Sequence, residues 1–155
     1  MYFGVLQIEI FEPEDFREDL AEIVRAHACI NLRRITRAHD AGRPYLTLYE
    51  SGARWHRVRP FVASDCDGDI CHAPEESDRW QTIDGVYSTG GGDCKDLVAI
   101  RLAELWLSGE HDADVGTEVY PGALGDNYDM YHVVVVRADG SIEDPSRELG
   151  MEEVA

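Results

Sequence analysis

Three residues able to act as nucleophile, base and orienter follow one another in this chain: Cys94, His132 and Asp144. Cys94 ends the run Gly90-Gly91-Gly92-Asp93-Cys94 and opens the apolar stretch Leu97-Val98-Ala99-Ile100, which reads as a helix. The unpaired N–H groups and positive dipole end of a helix favour a thiolate there. His132 opens the apolar strand Tyr131-His132-Val133-Val134-Val135-Val136, and Asp144 stands in Glu143-Asp144-Pro145-Ser146. In such a set the thiolate attacks a carbonyl carbon. The imidazole moves the proton, and the carboxylate fixes the imidazole's tautomer. The chemistry expected is cysteine-dependent acyl transfer, with hydrolysis of an amide bond as its first form.

The turn between His132 and Asp144 decides whether they can meet. A two-residue hairpin loop at 139–140 would set residue 135 opposite Asp144 and turn His132 to the other face. A three-residue loop at 138–140, with Gly140 left-handed in a bulge, sets residue 134 opposite Asp144. His132 then shares its face, one diagonal step away. Ala138-Asp139-Gly140 suits the second loop, because glycine takes a positive φ without steric cost. The catalytic reading therefore predicts a bulged hairpin.

The backbone N–H of Cys94 is the first candidate to hold the developing oxyanion. A second donor is expected from upstream, with Trp55, Trp80, Gln81 and Tyr49 as candidates that the sequence leaves unresolved. Gly90–Gly92 are read as leaving room for a substrate backbone beside the thiol.

The elements that must position these residues can be read in order. Residues 3–11 alternate as a strand. A helix is expected from about 14 to 40, with Pro13, Glu14 and Asp15 at its start and Gly42 beyond its end. Phe16, Leu20, Ile23, Val24, Ala28 and Ile35 mark its apolar side, Cys29 is read as a small buried residue, and Arg25, Arg33, Arg34 and Arg37 lie outward. Tyr45–Glu50 and Arg54–Val58 are β-prone. Ser77 or Asp78 is expected to cap a short helix reaching Tyr87, with Trp80 and Ile83 inward. The central helix should span about 94–109, apolar on most sides and so buried on most sides. Strands follow near 114–120, 130–137 and 141–144, with a loop at 121–129 and a tail, 147–155, without a fold signal. The expected fold is α+β: one domain over 1–155, an antiparallel sheet of about four to six strands, and two packed helices. Within it, 1–60 supplies the N-terminal strand and helix, 61–78 an acidic loop and 79–146 the catalytic core.

The chain has 155 residues, 31 acidic against 14 basic, and a net charge of −17. Such a balance argues against nucleic-acid binding through a basic face. No apolar run reaches the roughly 20 residues of a membrane span, and the N-terminus lacks a signal-peptide pattern, so a cytoplasmic protein is expected. Neither a cofactor nor a metal is expected. Asp65, Asp67, Asp69 and Glu76 match four positions of a calcium loop, but Ile70 stands where that loop needs glycine. Cys66, Cys71 and His72 lack a fourth zinc ligand at suitable spacing. The segment reads instead as an acidic loop beside the cleft.

The motifs Gly92-Asp93-Cys94-Lys95-Asp96-Leu97, Tyr131-His132-Val133-Val134-Val135 and Gly140-Ser141-Ile142-Glu143-Asp144-Pro145 resemble the transglutaminase-like cysteine peptidase superfamily. The resemblance covers residues 90–146. It implies a papain-like core whose catalytic helix packs on an antiparallel sheet. Cys94, His132 and Asp144 would form its triad, with a protein or peptide as substrate. Lys95 departs from the acidic residues common after the nucleophile. Leu48–Trp55 and Asp144–Met151 resemble phage- and prophage-encoded members, which implies a host cytoplasm or virion and a phage structural partner. Such a family includes peptidases, amidases, crosslinking acyltransferases and members without catalysis. Three functions therefore stand open: hydrolysis, crosslinking, and a non-catalytic structural or binding role.

Overall fold

Two helices and a small sheet enclose the first core of the molecule. A computed structural model describes residues 16–56, 80–120 and 130–152. Helix α1 (Phe16–Asp40) and helix α3 (Cys94–Leu107) pack through Ala21, Val24 and Ala28 against Val98, Ala99, Leu102 and Leu105. Val115, Val133 and Val135 of strands β3 (Asp114–Tyr120) and β4 (Met130–Val136) close this core from the other side. Small residues on α1 let the helices approach closely, and the removal of these apolar surfaces from water drives the packing. Arg25 on α1 also holds Asp114 at the start of β3 with two hydrogen bonds, of 2.6 and 3.2 Å.

A second core lies on the other side of α3. It joins Ile35, Leu48, Ala53, Leu97, Ile100, Ala103 and Leu149 to Ile83 and Val86 of a short helix, α2 (Ile83–Thr89). With cores on both sides, nearly every residue of α3 from Lys95 to Leu105 is buried, as its composition predicts.

The sheet runs β3-β4-β5, antiparallel throughout, with β5 at Ile142–Glu143. Val136 pairs with Ile142 and Val135 with Glu143. Gly140 has φ +83°. Its N–H donates to Arg137 O at 2.9 Å, while Arg137 N donates to Ser141 O at 2.8 Å. This is the three-residue loop, and Asp139 steadies it by accepting from both N and Oγ of Ser141. A parallel pair, β1 (Arg54–Trp55) with β2 (Gly91–Gly92), forms a separate two-stranded sheet.

Several expectations are corrected. The antiparallel sheet has three strands among the described residues. Tyr45–Glu50 forms no strand; a turn begins at Leu48, and Glu50 accepts from both N and Oγ1 of Thr47. Helix α2 starts after Thr82, not at Ser77 or Asp78, and runs to Thr89. Helix α3 ends at Leu107, with Ser108 as its cap and Gly109 one residue beyond. The tail holds a one-turn helix, α4 (Pro145–Glu148), capped by Asp144. Cys29 is exposed, because it falls one residue off the stripe of Val24, Ala28 and Ile35 and is rotated away from the core. The expected strand at 3–11, the acidic loop with Asp65, Asp67, Asp69, Cys66, Cys71, His72 and Glu76, and the loop at 121–129 lie outside the described residues. No helix among the described residues is long and apolar enough to cross a membrane.

Candidate active site

Helix α3 begins with its cap. Asp93, in extended conformation, accepts through Oδ1 from Asp96 N at 3.3 Å, and this leaves Cys94 as the first residue of the helix. That position gives the thiol the helix's positive end. Cys94 is half-buried and its thiol is free.

His132 stands on β4 and Asp144 at the junction of β5 and α4. The hairpin register places residue 134 opposite Asp144, so the imidazole and carboxylate share a face. They meet through Nε2 and Oδ2 at 2.8 Å. The other carboxylate oxygen, Oδ1, accepts from the N–H groups of Ser146 at 3.0 Å and Arg147 at 3.3 Å. Asp144 is thus both helix cap and imidazole partner, and the cap fixes the orientation of its second oxygen. With Nε2 engaged by Asp144, Nδ1 is the ring nitrogen left to face Cys94, which lies close enough to act on the charge of the imidazole.

Burial works against the charged imidazole, but the hydrogen bond to Asp144 and the nearness of Cys94, with their charges, outweigh it and raise His132 to about 9. Burial likewise pushes Asp144 up, and the His132 hydrogen bond and charge more than offset this, leaving the carboxyl below its usual range. Both shifts favour an imidazolium–carboxylate pair at neutral pH, with its proton positioned next to the thiol.

The four upstream candidates separate. Gln81 lies against the nucleophile's loop. Its backbone N–H donates to Asp96 Oδ1 at 2.9 Å, and its side-chain amide donates to Gly91 O at 3.3 Å. Trp80, like Cys94, packs against the first core, with its ring stacked on His27 at 5.5 Å and Lys95 Nζ 5.3 Å from the ring centroid. Trp55 pairs with Gly92 through its backbone, and its ring packs on the second core. Tyr49 is held elsewhere: its hydroxyl donates to Glu143 at 2.6 Å and its ring lies under the Arg101 guanidinium.

The glycine run serves a different purpose from the one expected. Arg54 N donates to Gly90 O at 2.9 Å and His56 N to Gly92 O at 2.8 Å, so the chain's own strand occupies that approach. A Cβ at Gly91 would stand 2.2 Å from Arg54 O, closer than any side chain could sit. Gly91 admits β1, which braces the loop leading to Cys94.

Sequence reasoning missed the polar residues behind Cys94. Asp93 and Lys95, on either side of Cys94, form a buried ion pair. Asp96 is fully buried. Burial, reinforced by the charge of Asp93, holds its carboxyl well above the usual range. From α1, Asn31 accepts from Ile83 N at 2.9 Å, and the His27 ring stacks on Trp80, the residue before Gln81. The segment carrying Gln81 is therefore gripped by buried polar groups from both helices. His27 and Asn31 had a visible signal, since they interrupt the apolar stripe of α1 at helical spacing. Asp93 caps the helix by accepting from Asp96 N, while the Asp96 carboxylate turns to Gln81 N.

Among the described residues no group of three or more His, Cys, Asp or Glu side chains is arranged to hold a metal ion. Comparison of the chain with protein-family models, curated proteins and solved structures finds no significant match.

Proposed function

We propose that this chain is a cysteine-dependent amide hydrolase of the transglutaminase-like type, with a papain-like core and a protein or peptide substrate. The observation that carries the reading is the 2.8 Å contact between His132 Nε2 and Asp144, made while Cys94, at the start of a buried helix, lies within electrostatic reach of the same imidazole.

The steps follow from those positions. Cys94 acts as the thiolate of a thiolate–imidazolium pair, its proton already on His132 Nδ1, and Sγ forms a bond to the carbonyl carbon as the carbonyl π pair moves to oxygen. The backbone N–H of Cys94 receives that oxyanion, with the Gln81 amide as the second donor. The tetrahedral adduct collapses, the C–N bond breaks, and His132 gives its proton to the leaving amine. A water then surrenders a proton to His132 and adds to the thioester carbon. The C–S bond breaks, releasing a carboxylic acid and restoring Cys94. Asp144 holds the ring and its charge throughout.

The test is alkylation by limiting iodoacetamide from about pH 5 to 8, below the free-thiol range, with the label located by peptide mass mapping. Cys94 is expected to label fastest and to stay reactive at the acid end, and His132→Ala should lower its rate at least tenfold. Labelling of Cys94 no faster than Cys29, with no response to His132→Ala, would overturn the reading. Product mass then identifies the acceptor, because hydrolysis adds water whereas transfer to an amine loses ammonia.

A further inference from the structure

The outer side of the His132–Asp144 pair is bridged by a residue so far given no role. Arg147 Nε lies 3.1 Å from Asp144 Oδ2, the same oxygen that His132 engages. Its Nη2 donates to the Tyr120 hydroxyl at 3.1 Å, and that hydroxyl donates to Glu118 Oε2 at 2.6 Å. Glu118 is the register partner of His132 on β3, so its side chain stands on the same face. The Tyr120 ring lies 6.4 Å from the imidazole, tilted by 49°. Arg147 thus arches from α4 to β3 across a nearly sealed pair: the side chain of His132 is 3% exposed, that of Asp144 13% and that of Arg147 44%.

We infer that Arg147 is a positioning residue that restrains the basicity of His132 by sharing the Asp144 oxygen on which the imidazole depends. A guanidinium on Oδ2 weakens the negative potential that oxygen presents to the ring. The other charges facing His132 among the described residues are Cys94 from α3, Glu118 from β3 and Asp144 itself. All are negative when ionised, and Tyr120 is neutral. Asp93 and Lys95, flanking Cys94, offset each other as an ion pair. Arg147 is therefore the cation set against these acids. A base works best when its proton affinity matches the operating pH. Without Arg147 the imidazole would hold its proton more firmly and give it to the leaving amine less readily. Asp144 itself stays oriented by its cap on α4, so the effect of Arg147 is chiefly electrostatic.

The inference rests on His132 serving as the base, but its test does not. The imidazole resonances of His132, assigned by their loss in His132→Gln, are titrated by NMR in wild type, Arg147→Gln and Arg147→Lys. Each is repeated in Cys94→Ala, where no thiol contributes. Arg147→Gln should raise the His132 midpoint by roughly half a unit, a modest shift because the guanidinium is partly solvated. Arg147→Lys keeps the charge and should return the midpoint to its wild-type value. These shifts should appear in both backgrounds, so an unreactive Cys94 would sink the hydrolase reading without touching this one. An unchanged or lowered midpoint in Arg147→Gln would overturn the inference, as would a lysine variant that behaves like the glutamine one.

Discussion

The two ends of α3 treat buried charge in opposite ways. Toward its middle and C-terminal half, Glu104 accepts from Tyr45 OH at 2.5 Å, Leu48 N at 2.6 Å and Arg101 at 3.2 Å. Arg101 continues to Glu143, which also accepts from Tyr49 at 2.6 Å and Arg137 at 2.7 Å, and Arg137 grips Glu110. Each charge there has an opposite neighbour, and the clamp ties β5 and the hairpin to α3. At the N-terminal end, Lys95 pairs with Asp93 beside Cys94, and Asp96 is buried close by. Asp96 Oδ2, His27 Nε2 and Asn31 Nδ2 are buried without a hydrogen-bond partner among the described residues. A satisfied buried network stabilises and fixes geometry, whereas an unsatisfied one stores a cost. The first end holds Asp144 in place through its neighbour Glu143. The second holds Cys94 and Gln81 at an energetic expense, as is common where a site must be positioned.

The contrast breaks first at Glu104. Replacement by alanine leaves Leu48 N–H buried without its acceptor and removes one of two partners from Arg101. The expected loss is about 3 kcal/mol in urea unfolding. Glu104→Gln keeps an acceptor for Leu48 and should lose about 1 kcal/mol. If Glu104→Ala cost no more than a surface change, the clamp would not be the stabilising end.

Asp96→Asn probes the other end and should act in the opposite sense. A carboxyl raised in the folded state binds its proton more tightly there than in the unfolded chain. Wild-type stability therefore falls as pH rises above the ordinary carboxylate range, until the raised value is passed. Asparagine retains an oxygen for Gln81 N and has no proton to lose. The variant should match wild type at or below the ordinary carboxylate range and exceed it by about 1 kcal/mol or more in mild alkali. Urea midpoints across that range measure the difference, and parallel pH profiles would refute the cost assigned to Asp96.

The same contrast explains what the sequence made legible. Helix boundaries near 40 and 94, the buried character of α3 and the bulged hairpin follow from local rules: apolar period, a capping aspartate and one glycine in a three-residue turn. The meeting of His132 and Asp144 was legible because both lie on that hairpin. The partners of Asp96 were not, because Gln81, Asn31 and His27 come from segments distant in sequence, and side-chain type alone does not say which carboxylate turns inward. Cys29 was misplaced by a single helical position. Gly90–Gly92 were read as space for substrate because nothing local revealed that Arg54 and Trp55 would fill it. Asp144-Pro145 carried a visible cap followed by a first-turn proline, but the helix they start is a single turn, too short to leave a period.

The smallest expected effect tests the element that links the two ends. Gly140 has φ +83°, and a Cβ built there meets nothing within 4 Å. Alanine would therefore cost backbone strain without a clash, about 1 kcal/mol. Gly140 lies in the loop between β4 and β5, and it sets the register that brings Asp144 to His132. Two outcomes differ in what they teach. If Gly140→Ala lowers the urea midpoint by that amount and leaves Cys94 alkylation unchanged, the clamp on Glu143 holds the register even under strain. If reactivity falls much further than stability, the strain has been relieved by a shift to the two-residue loop. That slip would turn His132 to the opposite face from Asp144, and the turn, rather than the clamp, would be what assembles the site.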